Sequence, residues 1–234
     1  MGAPFAGGLL WAGGSLCAFL ATANIGLARA AGTWAPLNIA MGFLWGAVLF
    51  GEFNHTTATE LAVLGVAVAL IVAGLLLIVF ARGLGGGASG RTMLGGLAAA
   101  CGAGVLWGTY FIPAERSTAS PWVAILPLSV GMAVGSLVLV ARHRVRPVLA
   151  EAGGYASLLL SGVLWGIGNI GLLLLVQNVG TATGFTIAQL SLLINGLVGV
   201  FVFRNPPPRS RAATMTLSGV LLAGVGGVVL GNLR

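Results

Sequence analysis

The chain has 234 residues, of which 58% are hydrophobic, only 6% are charged and 39 are glycine. This composition excludes an ordinary soluble domain and predicts an all-α polytopic membrane protein. All 11 basic residues are arginine, the four acidic residues are glutamate, and the sequence has no lysine or aspartate. A retinal Schiff base, a P-loop and an aspartyl protease dyad are therefore excluded, because each needs one of those residues.

Apolar runs bounded by proline, glycine or charge predict eight transmembrane helices, named A to H in chain order. Their expected bounds are 5 to 26, 34 to 51, 60 to 80, 93 to 112, 122 to 141, 155 to 176, 183 to 203 and 213 to 232. Helix C is preceded by Thr57-Ala58-Thr59-Glu60, which has the spacing of a capping box. Glu60 is therefore interpreted as a helix cap rather than as a proton site.

Arginine is distributed unevenly between the two sets of connections. The A–B, C–D, E–F and G–H connections hold nine arginines, whereas the opposite side holds Arg116 and Arg234. Cytoplasmic loops accumulate positive charge, so both termini are expected outside, in a multi-pass protein of the cell (inner or plasma) membrane. The arginines are separated by apolar runs and have no side chains beside them that could read bases, so no nucleic-acid partner is expected.

Residues 7–26 align without a gap with residues 161–180, with seven of 20 positions identical. Five helices separate the starts of A and F, so the matching helices cross the membrane in opposite directions. Inverted repeats of this kind are typical of transporters that open alternately to either side of a central site. The identical pairs are Gly8/Gly162, Leu10/Leu164, Trp11/Trp165, Gly14/Gly168, Leu20/Leu174, Asn24/Asn178 and Gly26/Gly180.

The repeat is incomplete in this chain. If A, B and C match F, G and H, then D and E have no partner and two helices are missing before A. The expected division is a partial first half, 1–81, a cytoplasmic glycine-rich connection, 82–92, and a second half, 93–234. A GxLWG string recurs at 42–46, 104–108 and 162–166, and its small-xxx-small spacing is interpreted as a helix-packing signal.

Uncharged polar side chains at mid-depth in a bilayer need a partner, and in a cavity that partner is often a ligand. Amides offer both hydrogen-bond donors and acceptors to sugar hydroxyls, and the flat apolar face of a tryptophan ring can pack against the C–H groups of the sugar ring. An interhelical packing bond, worth about 0.6 kcal/mol on average, is the alternative role for such side chains. The predicted substrate-binding residues are Gln189, Asn169, Thr186, Asn195, Trp165, Ser15 and Asn38.

Glu52 and Glu115 lie at the predicted outer ends of B and D and are the candidates for coupling or gating. No carboxylate or histidine lies at mid-depth in a predicted span, so proton coupling and uncoupled transport both stay open. No cofactor, metal ligand or catalytic residue is predicted. A rhomboid-type protease would rest on Ser89 within a GxSG string, but the topology places His55 across the membrane from it.

Three strings resemble bacterial glucose uptake permeases, the glucose/ribose porter family of the drug/metabolite transporter superfamily. They are AILPLSVGM at 124–132, GVLWGIGNIGLLLL at 162–175 and FTIAQLSLLINGLVG at 185–199, and helix A and VLFGEF at 48–53 resemble first-half segments. The resemblance covers residues 7 to 232. It implies ten helices in two inverted halves, of which this chain lacks the first two, and a cavity lined by A, B, F and G.

The resemblance implies a transporter that moves a small neutral, glucose-like sugar by alternating access. The chain departs from the family at Arg204-Asn205 and the prolines at 206–208, where members often have a Gly-Glu pair. Anionic cargo would need arginine inside the bundle, and every arginine here lies in a connection or at a helix end. Another neutral metabolite, or a truncated or accessory subunit that does not transport alone, are the alternatives. The expected partners are the sugar and the bilayer, and a homodimer is compatible with the sequence.

Overall fold

The computed structural model describes residues 2–25, 27–54, 56–81, 90–117, 119–143, 152–190, 194, 197–198, 200–202 and 207–231. The regular elements of these residues are all helices. They are α1 (Gly2–Ile25), α2 (Leu27–Leu49), α3 (Ala58–Ala81), α4 (Gly90–Trp107), α5 (Ile112–Arg116), α6 (Pro121–His143), α7 (Ala152–Val179), α8 (Thr181–Gln189) and α9 (Arg211–Gly231).

Among the described residues, five stretches are long and apolar enough to cross a membrane, and α2 and α3 hold shorter apolar stretches. The predicted class, an all-α polytopic membrane protein, is confirmed, while the number of eight spans stays a prediction. The five stretches are Gly2–Ile25, Thr92–Arg116, Pro121–His143, Gly154–Val179 and Arg211–Val229.

Predicted helix D does not run unbroken to residue 112. Helix α4 ends at Trp107, a turn follows, and the five-residue helix α5 begins at Ile112 with Pro113 in its first turn. Proline lacks the backbone N–H that would continue the helix and clashes with the preceding turn, so the helix restarts there. The break matters because α5 carries Glu115, a candidate gating residue.

The capping box at the start of α3 is observed. Glu60 Oε2 accepts hydrogen bonds from the Thr57 backbone N–H at 2.8 Å and the Thr57 hydroxyl at 2.7 Å. The Glu60 backbone N–H donates in return to Thr57 Oγ1 at 3.3 Å. Glu60 is exposed, so it caps this helix at the surface and takes no part in the interior of the bundle.

The helices that the repeat relates pack against each other in opposite directions. A Cβ added to Gly74 of α3 would clash with the carbonyl oxygen of Gly219 in α9, and one added to Gly226 would lie 2.6 Å from the Ala67 carbonyl oxygen. Residue number thus rises along α3 as it falls along α9. An antiparallel pair of this kind is what an inverted repeat predicts for C and H.

Helices α2 and α8, the counterparts B and G, are antiparallel as well. A Cβ added to Gly46 would lie 3.0 Å from the Ala182 Cβ, and one added to Gly42 would lie 2.9 Å from the Phe185 ring. Glycine lets the two helix backbones approach closely at both positions. Phe185 also stacks on Phe111, with ring centroids 4.6 Å apart, in an apolar cluster between α8 and the α4–α5 turn.

Candidate functional site

The carboxylate of Glu52 caps the start of α8 from a distant part of the chain. Its Oε1 accepts a hydrogen bond from the Thr181 N–H at 2.5 Å, and its Oε2 accepts one from the Ala182 N–H at 3.0 Å. Gly180 precedes α8 with φ 83°, a left-handed conformation that favours glycine, and has no side chain to cap the helix itself. A carboxylate is stabilised there because the first N–H groups lack intrahelical partners and carry partial positive charge.

Glu115 reaches the same threonine from α5. The buried Thr181 hydroxyl donates a hydrogen bond to Glu115 Oε1 at 2.5 Å. Glu115 Oε2 is buried and accepts no hydrogen bond from the part of the chain that the structure describes. The two candidate gating glutamates therefore meet at one residue, Glu52 on its N–H and Glu115 on its hydroxyl. Sequence reasoning missed Thr181, although its place in the first turn after Gly180 was a usable signal.

Further polar contacts join the same end of the bundle. Arg116 Nη2 donates to the Leu49 carbonyl oxygen at 3.4 Å and lies 5.9 Å from the centroid of the Phe50 ring. The Gln177 amide donates to the Ala119 carbonyl oxygen at 3.3 Å. Together with the Glu52 and Glu115 bonds, these contacts tie α2, α5, α7 and α8 together at the end predicted to face outside.

Asn169 lies in the interior near the middle of α7, and both polar atoms of its side-chain amide are hydrogen-bonded. Its Oδ1 accepts a hydrogen bond from the Tyr110 hydroxyl at 2.8 Å, and its Nδ2 donates to the Trp165 carbonyl oxygen at 2.9 Å. Ser15, its repeat counterpart, donates in the same way to the Trp11 carbonyl oxygen at 3.0 Å. The two repeat-related side chains thus donate the same hydrogen bond, each to the backbone carbonyl oxygen four residues earlier in its own helix.

Trp11 and Trp165, which are identical across the repeat, contact each other. Their ring centroids are 4.8 Å apart and their planes are inclined at 56°. Two residues related by a two-fold axis can touch only close to that axis, so this pair marks where the two halves face each other. Trp165 is 37% exposed, which leaves part of its ring surface open beside Trp11.

Asn38 is the predicted site residue with an unsatisfied polar atom. It is 94% buried on α2, and its Oδ1 has no hydrogen-bond partner among the described residues. Thr186 on the facing helix α8 is fully buried and donates its hydroxyl to the Ala182 carbonyl oxygen at 2.7 Å. Gly46 lies opposite Ala182, and Gly42 lies opposite Phe185. The second contact is therefore about one helical turn further along both helices than the first. One turn further, the backbone of Asn38 reaches the level of residue 189.

Several predicted positions lie outside what the structure describes. The backbone of Gln189 ends α8, but its side chain is not described, and Asn195 falls among residues outside the described ranges. Ser89, His55 and the connection at 82–89 are outside them too. Of the predicted set, the structure places Asn38 on α2, Thr186 on the neighbouring helix α8, and Ser15, Asn169 and Trp165 along α1 and α7.

Tyr110, also missed from the sequence, gives a direct test of the interior. Replacing Tyr110 with phenylalanine is expected to lower the free energy of unfolding by about 1 to 3 kcal/mol, because the buried Asn169 oxygen loses its donor. Thermal unfolding in detergent measures the loss. Tyr155→Phe is the matched control, since Tyr155 is exposed. An unchanged midpoint for Tyr110→Phe would contradict the bond.

Antiparallel repeat pairs in a bundle of apolar helices are typical of membrane transport proteins. Residues 1–233 match the family described as "Sugar transport protein", and the chain belongs to that family. It is 28% identical over 98% of its length to "Putative sugar uptake protein lmo0169" of Listeria monocytogenes, covering 78% of that protein. It is 32% identical over 52% of its length to "Glucose uptake protein GlcU" of Bacillus subtilis, covering 40% of it. No solved structure matches.

The resemblance to glucose uptake permeases is thereby confirmed. The family is one of sugar transport proteins, and the relatives above are named for uptake rather than for catalysis. The protein is accordingly a multi-pass membrane protein whose family supports a sugar as its cargo.

Proposed function

We propose that the protein moves a small neutral, glucose-like sugar across the cell membrane by alternating access. Family membership supports a sugar, and the name of the Bacillus subtilis relative supports glucose. Apart from the half-buried Glu115 at the end predicted to face outside, the buried polar side chains of the described residues are uncharged, which suits a neutral cargo. They are Asn38, Asn169, Thr181, Thr186 and Thr216.

The buried, unpaired Oδ1 of Asn38 is the observation that most directly supports a ligand site. An unsatisfied amide oxygen costs about 1 to 3 kcal/mol, and a sugar hydroxyl that donates to it would remove that cost. We place the site between α2 and α8, with Asn38 on α2, Thr186 on α8 about one helical turn from the level of Asn38, and Gln189 and Asn195 further along the chain. Trp165 and Ser15 border it on α7 and α1, and Asn169 holds α7 against Tyr110.

We assign Glu52 and Glu115 to an outer gate. An opening toward the outside would separate the end of α2 from the start of α8, and it would break the bonds from Glu52 to Thr181 and Ala182. The described bonds then correspond to a state closed on that side. The outward position of this end, like that of both termini, follows from the arginine distribution. The division into two inverted halves, 1–81 and 93–234, stays part of this proposal.

Counterflow of radiolabelled glucose in proteoliposomes that hold the 234-residue chain tests the proposal. Glucose is expected to exchange above the rate in empty liposomes, and ribose and rhamnose are added as competitors to define the preferred sugar. Exchange of a non-sugar metabolite without exchange of any sugar would contradict the proposal.

Replacing Asn38 with alanine is expected to raise the half-saturation concentration about 5- to 10-fold, the effect of one hydrogen bond of about 1 to 1.4 kcal/mol. The same counterflow assay measures it. Asn178→Ala is the control, because Asn178 is exposed and donates to the Leu174 carbonyl oxygen within α7. Equal half-saturation for Asn38→Ala and the unmodified chain would remove Asn38 from the site.

A further inference from the structure

Trp11 and Trp165, the contacting tryptophans that are identical across the repeat, meet where α1 and α7 approach each other. Helix α7 runs from Ala152 to Val179, so Trp165 lies at its middle. The ring centroids are 4.8 Å apart, which places the pair close to the axis that relates the repeat. In transporters built from inverted repeats, the substrate site lies near the middle of the bilayer at the interface of the repeats. The pair is therefore well placed to contact a substrate.

The open surface of the Trp165 ring lies on the interior side of α7. Trp165 precedes Asn169 by four residues and Val176 by eleven, and both spacings return to the same face of a helix. Asn169 and Val176 are buried. Val163 and Ile167, which lie on the opposite face, are about 60% exposed. The exposed part of Trp165 therefore belongs to the face of α7 that is buried further along, and not to its most exposed face.

Both tryptophans are held in place through their backbones. The Trp165 carbonyl oxygen accepts a hydrogen bond from Asn169 Nδ2 at 2.9 Å. The Trp11 carbonyl oxygen accepts bonds from Ser15 Oγ at 3.0 Å and from the Trp107 indole N–H at 3.3 Å. These bonds fix the helix at each tryptophan and leave the polar atom of its own ring unused.

The indole N–H groups of the pair stay available as donors. The Trp45 indole donates to Thr109 Oγ1 at 2.9 Å, and the Trp107 indole donates to Trp11 as described above. Among the described residues, none accepts a hydrogen bond from the indole N–H of Trp11 or Trp165. A polar group inside a membrane bundle needs a partner, and the hydroxyl oxygens of a sugar are hydrogen-bond acceptors.

The pair adjoins the site proposed between α2 and α8. Trp11 packs against the apolar cluster that contains Phe185 of α8, and Trp45 of α2 packs against the same cluster. Trp45 follows Asn38 by seven residues, which is two helical turns on the same face of α2. The tryptophan pair and the unpaired oxygen of Asn38 therefore border the same interior.

We propose that Trp11 and Trp165 together bind the ring of the transported sugar and select closed-ring sugars over open-chain polyols. The inference rests on the proposed function and adds Trp11, which sequence reasoning missed, as a specificity-determining residue. The open face of Trp165 packs against the C–H groups of the sugar ring. The plane of Trp11, inclined at 56°, bounds the ring on a second side. An open-chain polyol also carries hydroxyls but has no flat C–H surface to cover an aromatic face.

Competition binding to the purified chain in detergent tests the role of the pair. Radiolabelled glucose is the probe, and unlabelled glucose and its open-chain polyol, glucitol, are the competitors. The unmodified chain is expected to bind glucose about tenfold more tightly than glucitol. Trp11→Leu and Trp165→Leu are each expected to lower that ratio about fivefold, within the range of one aromatic contact. Trp11→Phe keeps a flat ring and is expected to retain most of the ratio.

Trp122→Leu is the matched control, because Trp122 is 66% exposed on α6, and it is expected to leave both affinities unchanged. Trp165 is exposed, so its leucine variant decides the matter if Trp11→Leu does not fold. A purely structural role would weaken the binding of both ligands alike, and an unchanged ratio in the leucine variants would overturn the inference. Equal affinity of the unmodified chain for glucose and glucitol would also overturn it. Failure of the unmodified chain to bind glucose would instead contradict the proposed function, and this inference with it.

Discussion

Replacing Glu52 with alanine is expected to lower sugar counterflow at least tenfold and to destabilise the protein by about 2 kcal/mol or more. The variant loses both hydrogen bonds to the start of α8, and bonds of this charged kind contribute about 1.5 to 3 kcal/mol each. Because α8 carries Thr186 and ends at Gln189, a displaced start also misplaces that side of the proposed site. Counterflow and thermal unfolding in detergent measure the two effects.

Glu60→Ala is the matched control for Glu52→Ala. Glu60 also caps a helix, but it caps its own helix at an exposed position. Its loss is expected to lower the unfolding midpoint less than the loss of Glu52 does and to leave counterflow unchanged. Glu52→Gln is expected to be intermediate, since the amide keeps one acceptor but turns a donor toward the second N–H. Equal counterflow in Glu52→Ala and Glu60→Ala would show that Glu52 has no role beyond stability.

Alanine at Gly8 and at Gly162 is expected to have opposite effects, although the two glycines are identical across the repeat. At Gly8 the added Cβ would clash with the backbone of α6, at Leu128 and Met132, which a side-chain rotation cannot relieve. A loss of several kcal/mol or failure to fold is expected, as for overpacking against backbone. At Gly162 the methyl group would meet no described atom within 4 Å, and the higher helix propensity of alanine adds about 0.5 to 1 kcal/mol.

Unfolding midpoints and yields of the two purified variants decide the comparison. Gly65→Ala is a further control, because Gly65 on α3 also has nothing within 4 Å of an added Cβ. If Gly162→Ala were as damaging as Gly8→Ala, α7 would be packed in the isolated chain at that position.

Much of the candidate site could be named from the sequence, but not the partners of each residue. A polar side chain in an apolar run reveals that it needs a partner, and this reasoning found Asn38 and Asn169. The sequence does not tell which of the two asparagines is hydrogen-bonded within the protein, because that depends on which helix lies opposite each of them. Tyr110 satisfies Asn169, whereas Asn38 keeps an unpaired oxygen. The meeting of Glu52 with Thr181 joins residues 129 positions apart, which no local pattern encodes.

The sequence by itself determined the class of protein, the approximate positions of its apolar helices, its inverted repeat and its resemblance to sugar permeases. These properties follow from composition, from the length that a bilayer requires and from residue identity, all of which are local or additive along the chain. Only the tertiary structure decided the partners of Asn169 and Glu52 and the contrast between Gly8 and Gly162. Those depend on which helix backbones come within contact distance, and the two identical glycines differ because a Cβ at Gly8 would meet the backbone of α6 whereas one at Gly162 would meet no described atom.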